Sequence, residues 1–207
     1  MHKDYVWTDQ VAIDEFLSEQ EVGYLSTLDA EGWPYTVPVN FLWLGGSIFF
    51  HSGRGLKIEN LRQNPKVCLN VGQPLSLLTA DFTSFPCRDT QLGLSVLVRG
   101  LARELKNPED KLNILNKIIA KYDPGALADT RSSHLPPESL MEQPAVQGCL
   151  VVEIEVTSLS GRRSLLTGKP EKYRRAAVAH LQKAGREKGC QLSLKTAAMI
   201  SRHLDDD

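Results

Sequence analysis

The spacing of apolar and polar residues changes period several times along the chain, and each change predicts an element. Val11, Phe16 and Leu17 lie at helical spacing behind Thr8, which can cap a first helix with Asp9 in its opening turn. That helix fades near Glu19–Glu21. From Val22 the texture turns to strands. Val22–Leu28 is rich in β-formers, Asp29-Ala-Glu-Gly32 reads as a hairpin turn, and Tyr35–Trp43 is the return strand. Leu44-Gly-Gly-Ser47 is a second tight turn before a third strand, Ser47–His51. Three strands joined by short turns make an antiparallel meander. Pro38 sits inside the second of them and cannot donate a ladder hydrogen bond. It marks an edge, a bulge, or a place where the ladder opens for something else.

Gly53-Arg-Gly55 then leads into a short predicted helix, Leu56 to Gln63, stopped by Asn64-Pro65. Lys66–Val71 is a fourth strand. Gly72–Gly93 has no clear period and reads as a strand followed by a loop. Leu94–Leu105 is a long strand with a bulge expected at Gly100. Asn107-Pro-Glu-Asp110 is a helix start, with proline in the first turn and acids against the helix dipole. Leu112, Leu115, Ile118, Ile119 and Tyr122 then repeat at helical spacing. Ala126–Val146 reads as loop with a short helix at Pro137–Glu142, and Cys149–Val156 as the last strand. The texture is helical again over Glu171–Lys188 and Leu194–Leu204. This order predicts a mainly β fold, an antiparallel β-barrel of six or seven strands with peripheral helices. The barrel domain spans 1–165 and a helical extension 166–207.

Composition narrows the function. Of 207 residues 42% are hydrophobic and 24% charged, an ordinary globular balance, and the net charge of -1 offers no broad basic field for nucleic acid. The cysteines at 68, 87, 149 and 190 are far apart, with no CxxC pair, so neither a structural zinc nor a disulfide framework is expected. The opening residues lack the apolar stretch of a secretory signal, and no run of about twenty apolar residues could span a bilayer. A cytoplasmic protein is expected.

The chemistry concentrates between Phe49 and Lys57. A strand ends in His51 and Ser52, two glycines flex the turn, and a lysine stands in the first turn of a helix. Unpaired N–H groups and the dipole at a helix start attract anions, and glycines let the backbone approach a ligand. This is a phosphate-site candidate; the alternative is a loop with a solvated lysine. Arg54 either adds charge to the site or points into water. His51 is either a catalytic group or a polar residue at a barrel rim. The segment Gly161–Lys169 fails as a Walker A loop, because its glycines are seven apart and proline follows the lysine. No Ser/His/Asp arrangement can be nominated.

The run Gly23–Thr27, Gly32-Trp-Pro-Tyr-Thr-Val-Pro-Val-Asn-Phe41, Ile48–Ser52, Lys57, Asn60-Leu61 and Asn64–Val67 resembles the FMN-binding split-barrel superfamily. It is similar to pyridoxamine 5′-phosphate oxidases and most like their nitroimidazole-reductase branch. Asp81–Thr83, Ser95-Val96 with Gly100, the helix at 107–122 and Val152–Val156 through Gly161 continue the match over about 10–165. The resemblance implies a six-stranded split barrel and a homodimer with FMN at the subunit interface. By it, Thr36, Val37, Pro38, Val39 and Asn40 lie along the isoalloxazine ring. Phe50, His51 and Ser52 stand near ribityl and phosphate, Lys57 holds the phosphate, and Ser95 reaches the flavin from the partner. Phosphate oxidases usually carry arginines at the positions of Val37 and Leu56. Their C-terminal Trp and Arg have no counterpart in Gly161–Ser164, which argues against vitamin B6 oxidation.

The function expected is an NAD(P)H-linked reductase of small acceptors such as nitroaromatics or quinones. One alternative is haem binding or degradation, with His134, His180 and His203 as axial candidates. The other is a non-catalytic flavin module whose tail, with Lys169, Lys172, Arg174 and Arg175, serves as an interaction arm.

Overall fold

In the computed structural model the described residues are 6–125, 148–202 and 204. In chain order they form β1 (Val6–Trp7), α1 (Gln10–Glu19), β2 (Val22–Leu28), β3 (Pro34–Asn40), β4 (Leu42–Leu44), β5 (Ser47–Ser52) and α2 (Leu56–Gln63). Then come β6 (Lys66–Leu78), α3 (Ala80–Thr83), β7 (Thr90–Glu104), α4 (Pro108–Tyr122), β8 (Leu150–Ser164), α5 (Glu171–Lys188) and α6 (Gln191–Arg202). Six strands have six residues or more; β1 and β4 are short additions. The expected short helix at 137–142 lies outside the described residues.

The chain divides into two compact units. The larger holds Asp9–Val71 and Leu97–Leu159, and the smaller holds the residues up to Thr8, Gly72–Val96 and those from Ser160 on. In the larger unit the strand order is β3-β2-β6-β7-β8-β5-β4. The pairings of β2 with β3 and β6, of β4 with β5, and of β5 with β8 are all antiparallel. β3 and β4 are the two ends of that order, yet Phe41 alone separates them in the chain. The sheet must therefore curl until its two edges meet at Phe41, where no ladder closes it. This is an open, split barrel.

The turns form for local reasons. Asp29 accepts from the N–H groups of Glu31 and Trp33, and Gly32 takes φ +87° to close the first hairpin. Gly45 and Gly46, both at positive φ, make the second. The first helix is capped by Asp9, not Thr8: the Asp9 carboxylate accepts from the Ala12 N–H. The return strand expected over Tyr35–Trp43 breaks at Phe41, whose backbone groups are bonded outside the ladder. Pro38 falls on β3, the edge of the sheet, where a missing donor costs no ladder bond.

Helix α4 starts as expected, with the Asn107 side chain accepting from Glu109 N–H. Its Ile114 and Ile118 are buried against Phe49 and Val151, with Leu42 and Tyr122 at the margin. Each such side chain contributes about 1.5–3 kcal/mol by burial.

Gly100 does not bulge. Burial alternates without slip along β7 from Leu92 through Ala102. A Cβ at Gly100 would stand 2.3 Å from the Glu155 carbonyl oxygen and 2.6 Å from Ile154 Cγ2, so the glycine serves close strand packing.

In the smaller unit, β1 pairs with the end of β8, Val6 opposite Arg162 and Trp7 opposite Gly161. The strand expected at the start of Gly72–Gly93 is there, but Gly72–Leu78 continues β6 without a break, and the last strand runs to Ser164 rather than Val156. Helices α5 and α6 bury Ala177, Val178, Leu181, Ala197 and Ile200. They are tied to β6 by buried polar contacts. The Ser76 N–H donates to Thr196 Oγ1 at 3.2 Å, and the Ser76 hydroxyl donates to Ser193 Oγ at 3.2 Å. No described helix is long and apolar enough to cross a membrane.

Candidate functional site

Two local structures in the larger unit carry most of the predicted site residues. The first is β3. Its register against β2 places Thr36 opposite Ser26, Val37 opposite Leu25, Pro38 opposite Tyr24, Val39 opposite Gly23 and Asn40 opposite Val22. Thr36, Pro38 and Asn40 are exposed, Val37 is half-buried and Val39 is buried. The Thr36 and Ser26 hydroxyls lie 2.9 Å apart, and the Asn40 amide donates to the Glu21 carbonyl at 3.3 Å. Among the described residues the strand bonds to β2 alone. Its outer edge therefore presents backbone donors and acceptors to anything laid alongside it.

The second is the β5–α2 junction. Phe50 is fully buried, His51 is exposed and Ser52 is buried with its hydroxyl donating to the Gly53 carbonyl at 2.9 Å. Gly55 caps α2 at φ +148°, a conformation that side-chain-bearing residues rarely adopt, and no side chain caps the helix. The Ile58 and Glu59 N–H groups return to the Gly55 carbonyl. The N–H groups of Leu56 and Lys57, earlier in the turn, have no intrahelical acceptor. Lys57 is half-buried and makes no ion pair among the described residues. A Cβ at Gly53 would meet nothing within 4 Å. Bare backbone, a half-buried lysine and open N–H groups fit a phosphate, and the free β3 edge fits the polar rim of a flavin ring.

The fold brings the two structures together. β3 and β5 approach within 8 Å between Cα atoms, because the chain bends at Phe41 and returns through β4. Ser95 is different: it lies half-buried on β7 within the smaller unit. Arg54 is exposed. Of the histidines weighed as haem ligands, His180 has Nε2 3.6 Å from the Asp81 carboxylate and packs on Phe82, while His134 and His203 lie outside the described residues.

Several supporting residues were not among the predicted site residues. Asn60 on α2 is buried and donates to Thr27 Oγ1 at 3.0 Å; Thr27 in turn donates to the Tyr35 carbonyl. This chain of bonds fixes the Lys57 helix to β2 and β3. At the far end of β3, Lys121 Nζ donates to the Gln20 and Phe41 carbonyls at 2.6 and 3.0 Å. Burial lowers the Lys121 ammonium below its ordinary range and raises the Tyr122 phenol. Only a polar residue inside an apolar helical face, as at Asn60, could have been noticed beforehand.

The pyridoxamine 5′-phosphate oxidase family model matches residues 9–163. No curated protein sequence matches the chain. Among solved structures, a candidate 5-nitroimidazole antibiotic resistance protein from Bacteroides thetaiotaomicron is 25% identical over 76% of this chain and 85% of its own, with a TM-score of 0.59. The flavocytochrome Anf3 from Azotobacter vinelandii is 18% identical over 77% of this chain and 69% of its own, with a TM-score of 0.64. An FAD and haem binding protein from Mycobacterium smegmatis is 15% identical over 77% and 73%, also with a TM-score of 0.64.

Proposed function

The chain belongs to the pyridoxamine 5′-phosphate oxidase family of flavin-binding split barrels, and from that membership we propose that it binds FMN and reduces small acceptors. The observation that carries this reading is the uncapped start of α2. There Lys57 stands half-buried without an ion pair among the described residues, one short turn from the end of β5, the strand that β3 approaches.

Lys57 and the first-turn N–H groups hold the phosphate. The outer edge of β3 from Thr36 to Asn40 hydrogen-bonds the polar rim of the ring, with Pro38 leaving room where a donor would stand. Val37 and Leu56 are apolar, so one lysine carries the charge that two arginines share in the phosphate oxidases. His51, exposed at the strand end, faces solvent where a substrate could enter. FMN supplies hydride and electron transfer, which side chains cannot. NAD(P)H is the donor we assign, in the cytoplasm, and the similarity to the 5-nitroimidazole resistance protein favours nitroaromatic acceptors, with quinones as the related class. A homodimer with the cofactor at its interface completes the reading, with Ser95 contributed by the second subunit.

A haem reading would need an axial histidine, and His180 is already turned to Asp81. The haem-binding neighbours share under 25% identity and speak for the fold alone.

Absorption spectroscopy of the purified protein, followed by FMN titration, is the test. A flavin double band or saturable FMN uptake, bleached anaerobically by NAD(P)H and restored by a nitroaromatic, is expected. A Soret band, or no uptake of FMN, overturns the proposal.

A further inference from the structure

A groove of about 420 Å³ opens on the outer face of the sheet in the larger unit, among β2, β3, β6, β7 and β8. It is separate from the Lys57 turn: neither α2 nor the end of β5 contributes to it. Its walls are apolar, from Leu28, Pro34, Val67 and Leu101, of which Leu28 and Leu101 remain 37% and 41% exposed. Two cations, Lys66 and Arg99, flank it. None of its described lining residues is acidic. Neither cation makes an ion pair among the described residues. Arg99 lies beside Cys68 in the lining, and its carbonyl accepts from the Thr157 hydroxyl at 3.1 Å.

The lining sets the ligand chemistry. Surface lysines and arginines are ordinarily balanced by nearby carboxylates. Two unpaired ones over a sunken apolar floor leave a positive field without a counter-charge. A guanidinium has five N–H donors in a plane, a fork that matches a bidentate carboxylate. The volume falls within the range of about 300–1,000 Å³ that houses small organic ligands. A hydrated inorganic anion would leave the apolar walls wet, and a neutral hydrocarbon would leave both charges unanswered. We propose that this groove is a second small-molecule site, which takes a flat aromatic carboxylate. The ring lies against Leu28, Pro34 and Leu101, and the carboxylate pairs with Arg99 and Lys66. The site does not depend on flavin binding.

Calorimetric titration of the full-length protein with naphthalene-2-carboxylate tests it, with naphthalene-2-carboxamide as the neutral twin. Saturable binding at one ligand per chain is expected, with the carboxamide at least about tenfold weaker, the loss of a charge-assisted pair. Arg99→Ala should weaken the carboxylate by a similar factor and leave the carboxamide unchanged. Lys66→Ala should weaken it less, and neither should change FMN uptake. Equal binding of the two ligands, or a folded Arg99→Ala protein that binds the carboxylate as the parent does, overturns the proposal. So does carboxylate binding that fades as protein concentration rises, which would assign the face to a second copy of the chain.

Discussion

Tyr122 holds both backbone groups of Phe41. The Phe41 N–H donates to the phenolic oxygen at 2.8 Å, and the Phe41 carbonyl stands 2.6 Å from the same oxygen. The Glu21 carbonyl is also at 2.6 Å, so the single phenolic proton is shared between two acceptors. Phe41 is the one residue between the two edge strands of the sheet, and it is fully buried. The barrel is thus fastened at its split by a side chain from α4 rather than by a ladder.

Tyr122→Phe removes the acceptor for Phe41 N–H and the donor to both carbonyls while keeping the ring. A loss of about 1–3 kcal/mol is expected in urea unfolding. The difference between the two proteins should depend on pH. Burial raises the folded phenol above its ordinary 10.0. The folded state therefore keeps the proton after the unfolded state has released it. The Tyr122 contribution is complete below pH 10 and declines as pH climbs through the raised value. Unfolding curves at neutral pH and above pH 10 should show the gap narrowing; a constant gap would contradict the assignment.

Gly100→Ala forces a methyl group to within 2.3 Å of a backbone oxygen on β8. Backbone cannot step aside as a flexible side chain can, so about 3 kcal/mol or more is expected to be lost. Gly72→Ala is the control. Its nearest neighbour would be a backbone oxygen at 4.0 Å, and it should cost little. Thermal unfolding of the two variants side by side checks the contrast.

The two hairpins were legible because each strand alternates between two faces and each turn carries the residues it needs: Asp29 and Gly32 in one, Gly45 and Gly46 in the other. The three-stranded meander was not, because the return strand breaks at Phe41 and β3 and β4 stand at opposite ends of the sheet. After Val71 a strand was legible, but not that it continues β6. Gly72 and Pro74 deny the strand pattern locally, and the strand there depends on its neighbours. Gly93 lets the Gln73 backbone come so close that a Cβ would meet the Gln73 oxygen at 2.9 Å. Gly100 is the opposite case: a glycine within a strand suggests a bulge, but here an unbroken strand needs it for close approach. For the site, the strand–turn–helix unit with Lys57 is contiguous and could be read directly. The clasp on Phe41 joins residues 81 apart, and the groove gathers Ser26, Lys66, Arg99 and Thr157 from four strands. Neither pattern exists until the sheet is assembled.

Lys57→Ala should weaken FMN by about tenfold or more, the worth of a charge-assisted contact to a phosphate that Val37 and Leu56 cannot help to hold. Riboflavin lacks the phosphate and should bind parent and variant alike. Fluorescence titration with both flavins separates the phosphate role from a general loss of fold. An unchanged FMN affinity would remove Lys57 from the site.

Thr196 is fully buried on α6, where its hydroxyl donates to the Leu192 carbonyl at 2.7 Å and accepts from the Ser76 N–H on β6 at 3.2 Å. Thr196→Val keeps the shape and strips away the oxygen. The Ser76 N–H is then left buried without its acceptor, at a cost of about 1–3 kcal/mol. Because α5 and α6 are tied to β6 by this bond and the neighbouring Ser76–Ser193 contact, that loss falls on the docking of the helical pair. Limited proteolysis should cut the variant within Leu165–Arg202 faster than the parent. Thr196→Ser, which restores the oxygen, should recover most of the protection. Equal cleavage of parent and valine variant would show that the apolar contacts of Ala177, Leu181, Ala197 and Ile200 hold the pair unaided.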